Sequence, residues 1–206
     1  MKKYQFKQVE LALLLALATT LLWGAWSVQR QEDLAGKMIR LHVIANSDEP
    51  ADQALKLQVR DRVLAIATEI LRSSSDMDQA GRRLSRALPD LESAAAEEIV
   101  RRGYDYPVTA SLERTEFPHK VYDGFALPAG EYTALRLVIG QGKGQNWWCV
   151  VFPPLCTTAA ADLPETAVTF GLDREDVSLI TEEDEGYTLK FRSLELWEQL
   201  RQWLGK

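Results

Sequence analysis

The chain has 206 residues, a formal net charge of -6, two cysteines and two histidines. Those cysteines and histidines are too few for a Cys/His structural zinc site, although mixed carboxylate sites stay open. An acidic chain with no basic stripe argues against nucleic acid and against anionic lipid headgroups as partners.

The first element is an export segment. Lys2, Lys3 and Lys7 precede any acid, the first being Glu10, and Leu11 to Leu22 is an apolar run that continues to Val28. Burial of such a run in a bilayer gains roughly 0.3 to 0.6 kcal/mol per Leu or Val, and the lysine flank resists translocation. The N-terminus is therefore expected to stay inside, with the chain beyond Arg30 outside. Ala25 and Ser27 supply the small residues of a signal-peptide cleavage site. Trp23 and Trp26 suit the interface of a retained anchor, so removal and retention both remain open. A buried core helix is the competing reading, and the lysine flank and terminal position count against it. Without residues 1 to 27, three lysines and Glu10 are gone and the charge becomes -8. Residues 29 to 37 read as a linker, and residues 38 to 206 as one extracytoplasmic domain large enough for a hydrophobic core.

That domain reads as α+β, with a mixed or antiparallel sheet packed with two to three helices. Met38 to Ala45 has strand character, with Ile39, Leu41 and Val43 on one face and Met38, Arg40, His42 and Ile44 on the other. Asn46-Ser47-Asp48 supplies turn chemistry, with Ser47 or Asp48 as helix cap and Pro50 in the first turn. The helix is predicted to run to about Arg72 on Leu55, Val59, Val63, Ile66 and Ile70, with Asp52 and Lys56 paired on its outer face. After Ser73-Ser74-Ser75 a second helix starts near Asp76, carries Leu84, Leu88, Leu91, Ala95 and Ile99, kinks or restarts at Pro89, and ends at Gly103. Strand alternation follows over Tyr106 to Glu113, Lys120 to Ala126, Tyr132 to Ile139 and Asn146 to Phe152. The Gly140-Gln141-Gly142-Lys143-Gly144 loop is expected to join the last two strands as a hairpin. A strand at Tyr187 to Phe191 and a helix at Leu194 to Leu204 complete the prediction.

Few residues point to catalysis. The glycines at 140, 142 and 144 with Lys143 suggest phosphate binding only superficially, because no helix opens after them. Cys149 lies in an apolar strand, a setting that raises a thiol pKa, so a core residue or a disulfide outweighs a nucleophile based on His42 or His119. Cys156 follows seven residues later, and a turn at Pro153-Pro154 brings the two sulfurs together in an oxidising compartment. Glu182 to Glu185 reads as a solvated loop. His42, Asn46 and Asp48 gather at a strand-to-helix turn, where ligand groups often sit, although turn shaping and capping account for most of them. Trp147-Trp148 reads as core plus one exposed ring. No catalytic set, metal or cofactor is expected.

Two long strings resemble the stage II sporulation protein R family. The first is Lys37 to Asp48 (KMIRLHVIANSD), continued by Asp52 to Leu57 and Val59-Arg60-Asp61. The second comprises Phe117-Pro118, Tyr122, Leu127 to Tyr132, Gly140-x-Gly142-x-Gly144, and Asn146 to Val150 through Phe152 to Cys156. The resemblance implies an exported signal of endospore formation. Such a protein acts between the forespore and mother-cell membranes and triggers a membrane-embedded aspartic protease that cuts a sigma-factor precursor. It implies no enzyme activity for the chain itself, and membrane contact only through the N-terminal segment. His42, Asn46, Asp48, Trp147 and Trp148 are the candidate partner-binding residues. The alternative is an exported cell-wall enzyme or binding module, in its most concrete form a metal site using His42 with Asp48.

The lysine flank and apolar run predict that a reporter active only outside the cytoplasm, fused after Lys206, is switched on. A stable but silent fusion would refute the topology.

Overall fold

The computed structural model describes residues 2–156 and 162–181, with side chains from residue 10 onward. The strand expected at Tyr187 to Phe191, the helix at Leu194 to Leu204 and the acidic run Glu182 to Glu185 lie outside the described residues. The chain divides into two compact units, Met1–Leu34 and Ala35–Lys206.

Helix α1 (Lys2–Ala35) makes up the first unit. Its Glu10–Ala35 segment of 26 residues is long and apolar enough to cross a membrane. At 1.5 Å per residue it exceeds a hydrocarbon core of about 30 Å. Leu11, Leu14, Leu21, Leu22, Trp23 and Trp26 are all exposed, the opposite of a core helix.

The second unit is an α+β domain. Strand β1 (Ile39–Ile44) is buried along its whole length. Two helices follow, α2 (Pro50–Leu71) and α3 (Met77–Arg101). Strand β2 (Val108–Phe117) precedes a small hairpin of β3 (Lys120–Tyr122) and β4 (Phe125–Leu127). Strands β5 (Gly130–Ile139) and β6 (Asn146–Phe152) complete the main sheet, and two short helices follow, α4 (Leu163–Thr169) and α5 (Arg174–Thr181). The sheet order is β2-β5-β1-β6, with β1 parallel to β5 and antiparallel to β6.

Periodicity accounts for the core. Leu55, Val59, Val63, Ala67 and Leu71 form the buried stripe of α2, and Leu84, Leu91, Ala95 and Ile99 that of α3. Both pack on the sheet face presented by Ile39, Leu41, Val43, Leu135, Leu137 and Val151. Asp76 caps α3 by accepting a hydrogen bond from the Gln79 amide at 2.8 Å. Outside the strands, Lys37 pairs with Asp173 at 3.0 Å and with the buried Asp176, tying the start of β1 to α5.

Four local expectations are corrected. Helix α3 continues through Pro89, because buried side chains on both sides of the proline hold the two halves in one packed line. The strand expected over Lys120 to Ala126 folds back at Asp123-Gly124, where Gly124 takes a φ of 81° that suits it to a tight turn. Asp52 and Lys56 are buried and bond to other groups instead of pairing on an outer face. Most consequentially, residues 140–145 do not close a hairpin. Strand β1 lies between β5 and β6, so this loop crosses over the end of β1.

The crossover lies tight against the turn that follows β1. Lys143 N donates to Asn46 O at 3.1 Å and Gly144 N to Ala45 O at 2.9 Å. A Cβ on Gly144 would overlap the Ser47 carbonyl, so only glycine fits without a backbone shift. Gly144→Ala is therefore predicted to cost about 2 to 4 kcal/mol of stability. Gly81→Ala, at a helix position with nothing near the new methyl group, should gain up to about 1 kcal/mol. Thermal unfolding of the two variants checks both signs.

Candidate contact surface

The turn after β1 is organised by one carboxylate. Asp52 Oδ2 accepts from Asn46 Nδ2 at 2.8 Å and from Ser47 Oγ at 2.6 Å. Burial alone would push Asp52 upward, but these donors and the Tyr106 hydroxyl hold it below its ordinary range, as an anion. With its amide group so fixed, Asn46 turns its Oδ1 to the Gln141 amide at 2.9 Å. Asp48 was expected as a possible helix cap. It instead accepts from the Gln145 amide at 2.8 Å, while Ser47 Oγ receives the Glu49 amide. Lys56 reaches the Gln145 carbonyl at 2.9 Å from α2. Asn46 and Asp48 are thus clamps on the β5–β6 crossover.

The sheet face away from α2 and α3 holds a basic–aromatic cluster. Arg40 and His42 alternate with the core residues of β1 and so point together to this side. Arg40 is fully buried, and its guanidinium lies 4.1 Å from the Phe117 ring centroid and 4.8 Å from that of Tyr132. It donates to the Tyr122 hydroxyl at 2.6 Å, and Tyr122 in turn donates to the Trp148 carbonyl at 3.3 Å. Among the described residues, Nε and one terminal nitrogen of Arg40 have no hydrogen-bond partner. Burial lowers the Arg40 pKa, while Tyr122 and Tyr132 oppose the shift. Aromatic faces in place of a carboxylate stabilise this charge by cation–π attraction, which is stronger when desolvated.

His42 stacks on Trp148 with ring centroids 3.8 Å apart and planes 20° from parallel, and Phe117 meets both rings edge-on. Its Nε2 lies 2.9 Å from Asn146 Oδ1, while the buried Nδ1 has no partner among the described residues. Burial pushes this imidazole below its ordinary value of 6.5; the Asn146 contact opposes that and Arg136 reinforces it. Adjacent side chains of a strand take opposite faces, and this separates the two tryptophans. Trp147 lies on the helix side, with the Arg60 guanidinium 4.2 Å over its ring. Cys149, also facing the helices, is bridged to Cys156 with a Cα separation of 6.1 Å.

Of the five candidate residues, then, the fold joins His42 to Trp148 and Asn46 to Asp48, and sends Trp147 to the other face. It also recruits Arg40, Phe117, Tyr122 and Tyr132. The signal for Arg40 was its alternation with His42; for the aromatic residues nothing local marked them as neighbours. Between α2 and β3, along β6, runs an open groove of about 720 Å³ whose lining includes Lys56, Leu57, Lys120, Val121, Trp147 and Trp148. Among the described residues, no group of three or more His, Cys, Asp or Glu is placed to hold a metal ion.

Residues 35–162 match the family model for stage II sporulation protein R. The chain belongs to the stage II sporulation protein R family. It is also 34% identical over 160 residues to the stage II sporulation protein R of Bacillus subtilis strain 168, covering 76% of this chain and 71% of that protein. No solved structure matches the chain. The span matched to the sporulation protein R model includes β1 to β6, the crossover and the whole basic–aromatic cluster. A sporulation role follows from that membership.

The buried His42 makes a pH prediction. Its folded pKa lies below the unfolded 6.5, so the unfolded chain takes up the proton more readily. The His42 contribution to stability is complete above 6.5, declines as the pH falls through 6.5, and stops declining below the folded pKa. Thermal midpoints recorded from about pH 7.5 to about pH 5 should fall, and His42→Phe, which keeps a stackable ring, should flatten that part of the profile.

Proposed function

We propose that this chain is an exported signal of endospore formation that activates a membrane-embedded aspartic protease, which then processes a sigma-factor precursor. The observation that carries the reading is the match to the family over residues 35–162, the span that holds the organised surface. The apolar Glu10–Ala35 helix supports delivery into the space between the forespore and mother-cell membranes, whether the segment is retained or removed. A signal of this kind works by contact and requires a rigid, pre-organised surface more than a tuned acid–base pair. The stacked His42 and Trp148, the caged Arg40 and the bridge between Cys149 and Cys156 supply such rigidity.

Within that surface the residues divide by role. Trp147 and Trp148 line the groove and are proposed to touch the protease. Asn46 and Asp48 support it by holding the crossover, and His42 supports it by backing Trp148. Co-expression with the protease and the precursor tests the proposal. Cleavage should appear only when the chain is present and exported. Trp148→Ala should abolish cleavage by more than its loss of thermal stability explains, whereas the defect of Asp48→Ala should track stability. Equal cleavage with and without the chain would overturn the reading.

A further inference from the structure

We propose that the outer edge of β6 receives an extended, acidic segment of a partner protein by strand addition, in the groove between α2 and β3. The inference rests on the reading above that the chain signals by contact, and it names how that contact is made.

The first argument is the backbone. Among the described residues, strand β6 is the last strand of the sheet and pairs with β1 on one side only. Val150 N points away from β1, because it donates to Cys156 Sγ at 3.0 Å. Antiparallel pairing alternates, so the N–H and C=O groups of Trp148 and Asn146 turn outward as well. The tyrosine hydroxyl that reaches the Trp148 carbonyl from the side agrees with this direction. The end of β6 near Val150 is thus capped by a sulfur atom, and Trp148 O by a phenol. Among the described residues, the amides of Trp148 and Asn146 are left facing the groove. Unpaired edge groups of this kind are the template for an added strand.

The second argument is shape. Residues of α2 lie beside one face of the sheet and those of β3 beside the other, so the groove opens edge-on to β6. A strand laid there sends alternate side chains to the α2 wall at Leu57 and to the β3 wall at Val121. Val121 is 72% exposed, an unusual state for a valine on a strand, and it offers apolar contact to such a side chain.

Charge identifies the occupant. The chain carries a net -6, yet the groove lining has two lysines, Lys56 and Lys120, and no carboxylate. Lys56 already serves the Gln145 carbonyl and Gln53, so its charge reaches a ligand through the field. Lys120 has no carboxylate partner among the described residues and can meet one directly. An extended segment with acidic side chains fits both walls, whereas a basic one is repelled.

Hydrogen exchange on the full chain in detergent micelles tests the inference. Two probes are used: overlapping peptides tiling the extracytoplasmic segments of the protease, and a source-independent octapeptide of alternating Glu and Val with a Lys–Val control. At least one acidic peptide should slow exchange of the Asn146 and Trp148 amides by about tenfold or more at saturation. Lys120→Glu should weaken that binding roughly tenfold, Lys120→Arg should preserve it, and the Lys–Val control should not protect. The inference is overturned if no acidic peptide protects these two amides, if protection ignores the charge changes, or if both are already protected in the chain alone, as a second copy or another part of the same chain on β6 would cause. Precursor cleavage that still depends on the chain while β6 stays unprotected removes strand addition and leaves the signalling role. Cleavage that never depends on the chain removes the signalling role, and the Glu–Val octapeptide still decides whether the edge accepts acidic strands.

Discussion

The position of β6 depends on a single buried carboxylate. Asp52 sits in the first turn of α2 and accepts hydrogen bonds from Asn46 and Ser47, which locks the turn after β1. A locked turn presents the Ala45 and Asn46 carbonyls and the Asn46 and Asp48 side-chain oxygens to four amides of the crossover. Without that clamp, nothing local carries the chain from β5 past β1, since a loop as short as residues 140–145 would close a hairpin between neighbouring strands by default. Burying Asp52 is costly in isolation, and its donors compensate for the lost hydration. The arrangement joins three remote segments: the start of α2, the end of β1 and the entry to β6.

Once β6 lies against β1, the other face of the sheet has little freedom. His42 and Trp148 stand directly opposite in register, and their rings stack because side chains at such a pair approach closely. Arg40, two residues earlier on β1, is carried into the interior with its charge. An arginine buried without a carboxylate would be severely destabilising in an aliphatic setting. Phe117, Tyr122 and Tyr132 make it tolerable by presenting π faces and a phenolic oxygen. They arrive from three different strands, so the cluster joins β2, β3 and β5 to the central strand. Cysteine pairing acts at the far end of β6 in the same sense, holding the chain where it leaves the sheet.

A contact-signalling role is consistent with this construction. The polar groups of the turn are committed to one another and to the crossover, and the cluster is packed ring against ring, which holds the surface in one arrangement. Among the described residues, the edge of β6 remains open to a partner, with its half-buried tryptophans and lysine-lined walls.

Several elements were legible in the residues. The lysine-flanked apolar run, the 3.6-residue stripes of α2 and α3, the alternation of β1, β2, β5 and β6, and the spacing of Cys149 and Cys156 each express a local rule, and the fold kept them. The two strings that mark the family also hold most of the cluster, including Arg40, His42, Phe117, Tyr122, Tyr132 and Trp148. Local rules did not reveal which strands are neighbours. Glycines 140, 142 and 144 look the same whether they close a hairpin or cross over a third strand, because positive φ, as at Gly140 and Gly142, and lack of bulk, as at Gly144, serve either purpose. Helix α3 overrode the breaking tendency of Pro89 because buried apolar surface on either side outweighs one lost hydrogen bond. Asp52 and Lys56 have the spacing of a surface pair, yet the turn after β1 took Asp52 as its acceptor and the crossover took Lys56 as a donor. The sequence by itself determined the periodicities and the N-terminal apolar helix, since those depend on residues close along the chain. Only the tertiary structure decided the strand order, and with it which charges are buried and which edge is free, because pairing energy depends on residues that are distant along the chain and meet only when the sheet is assembled.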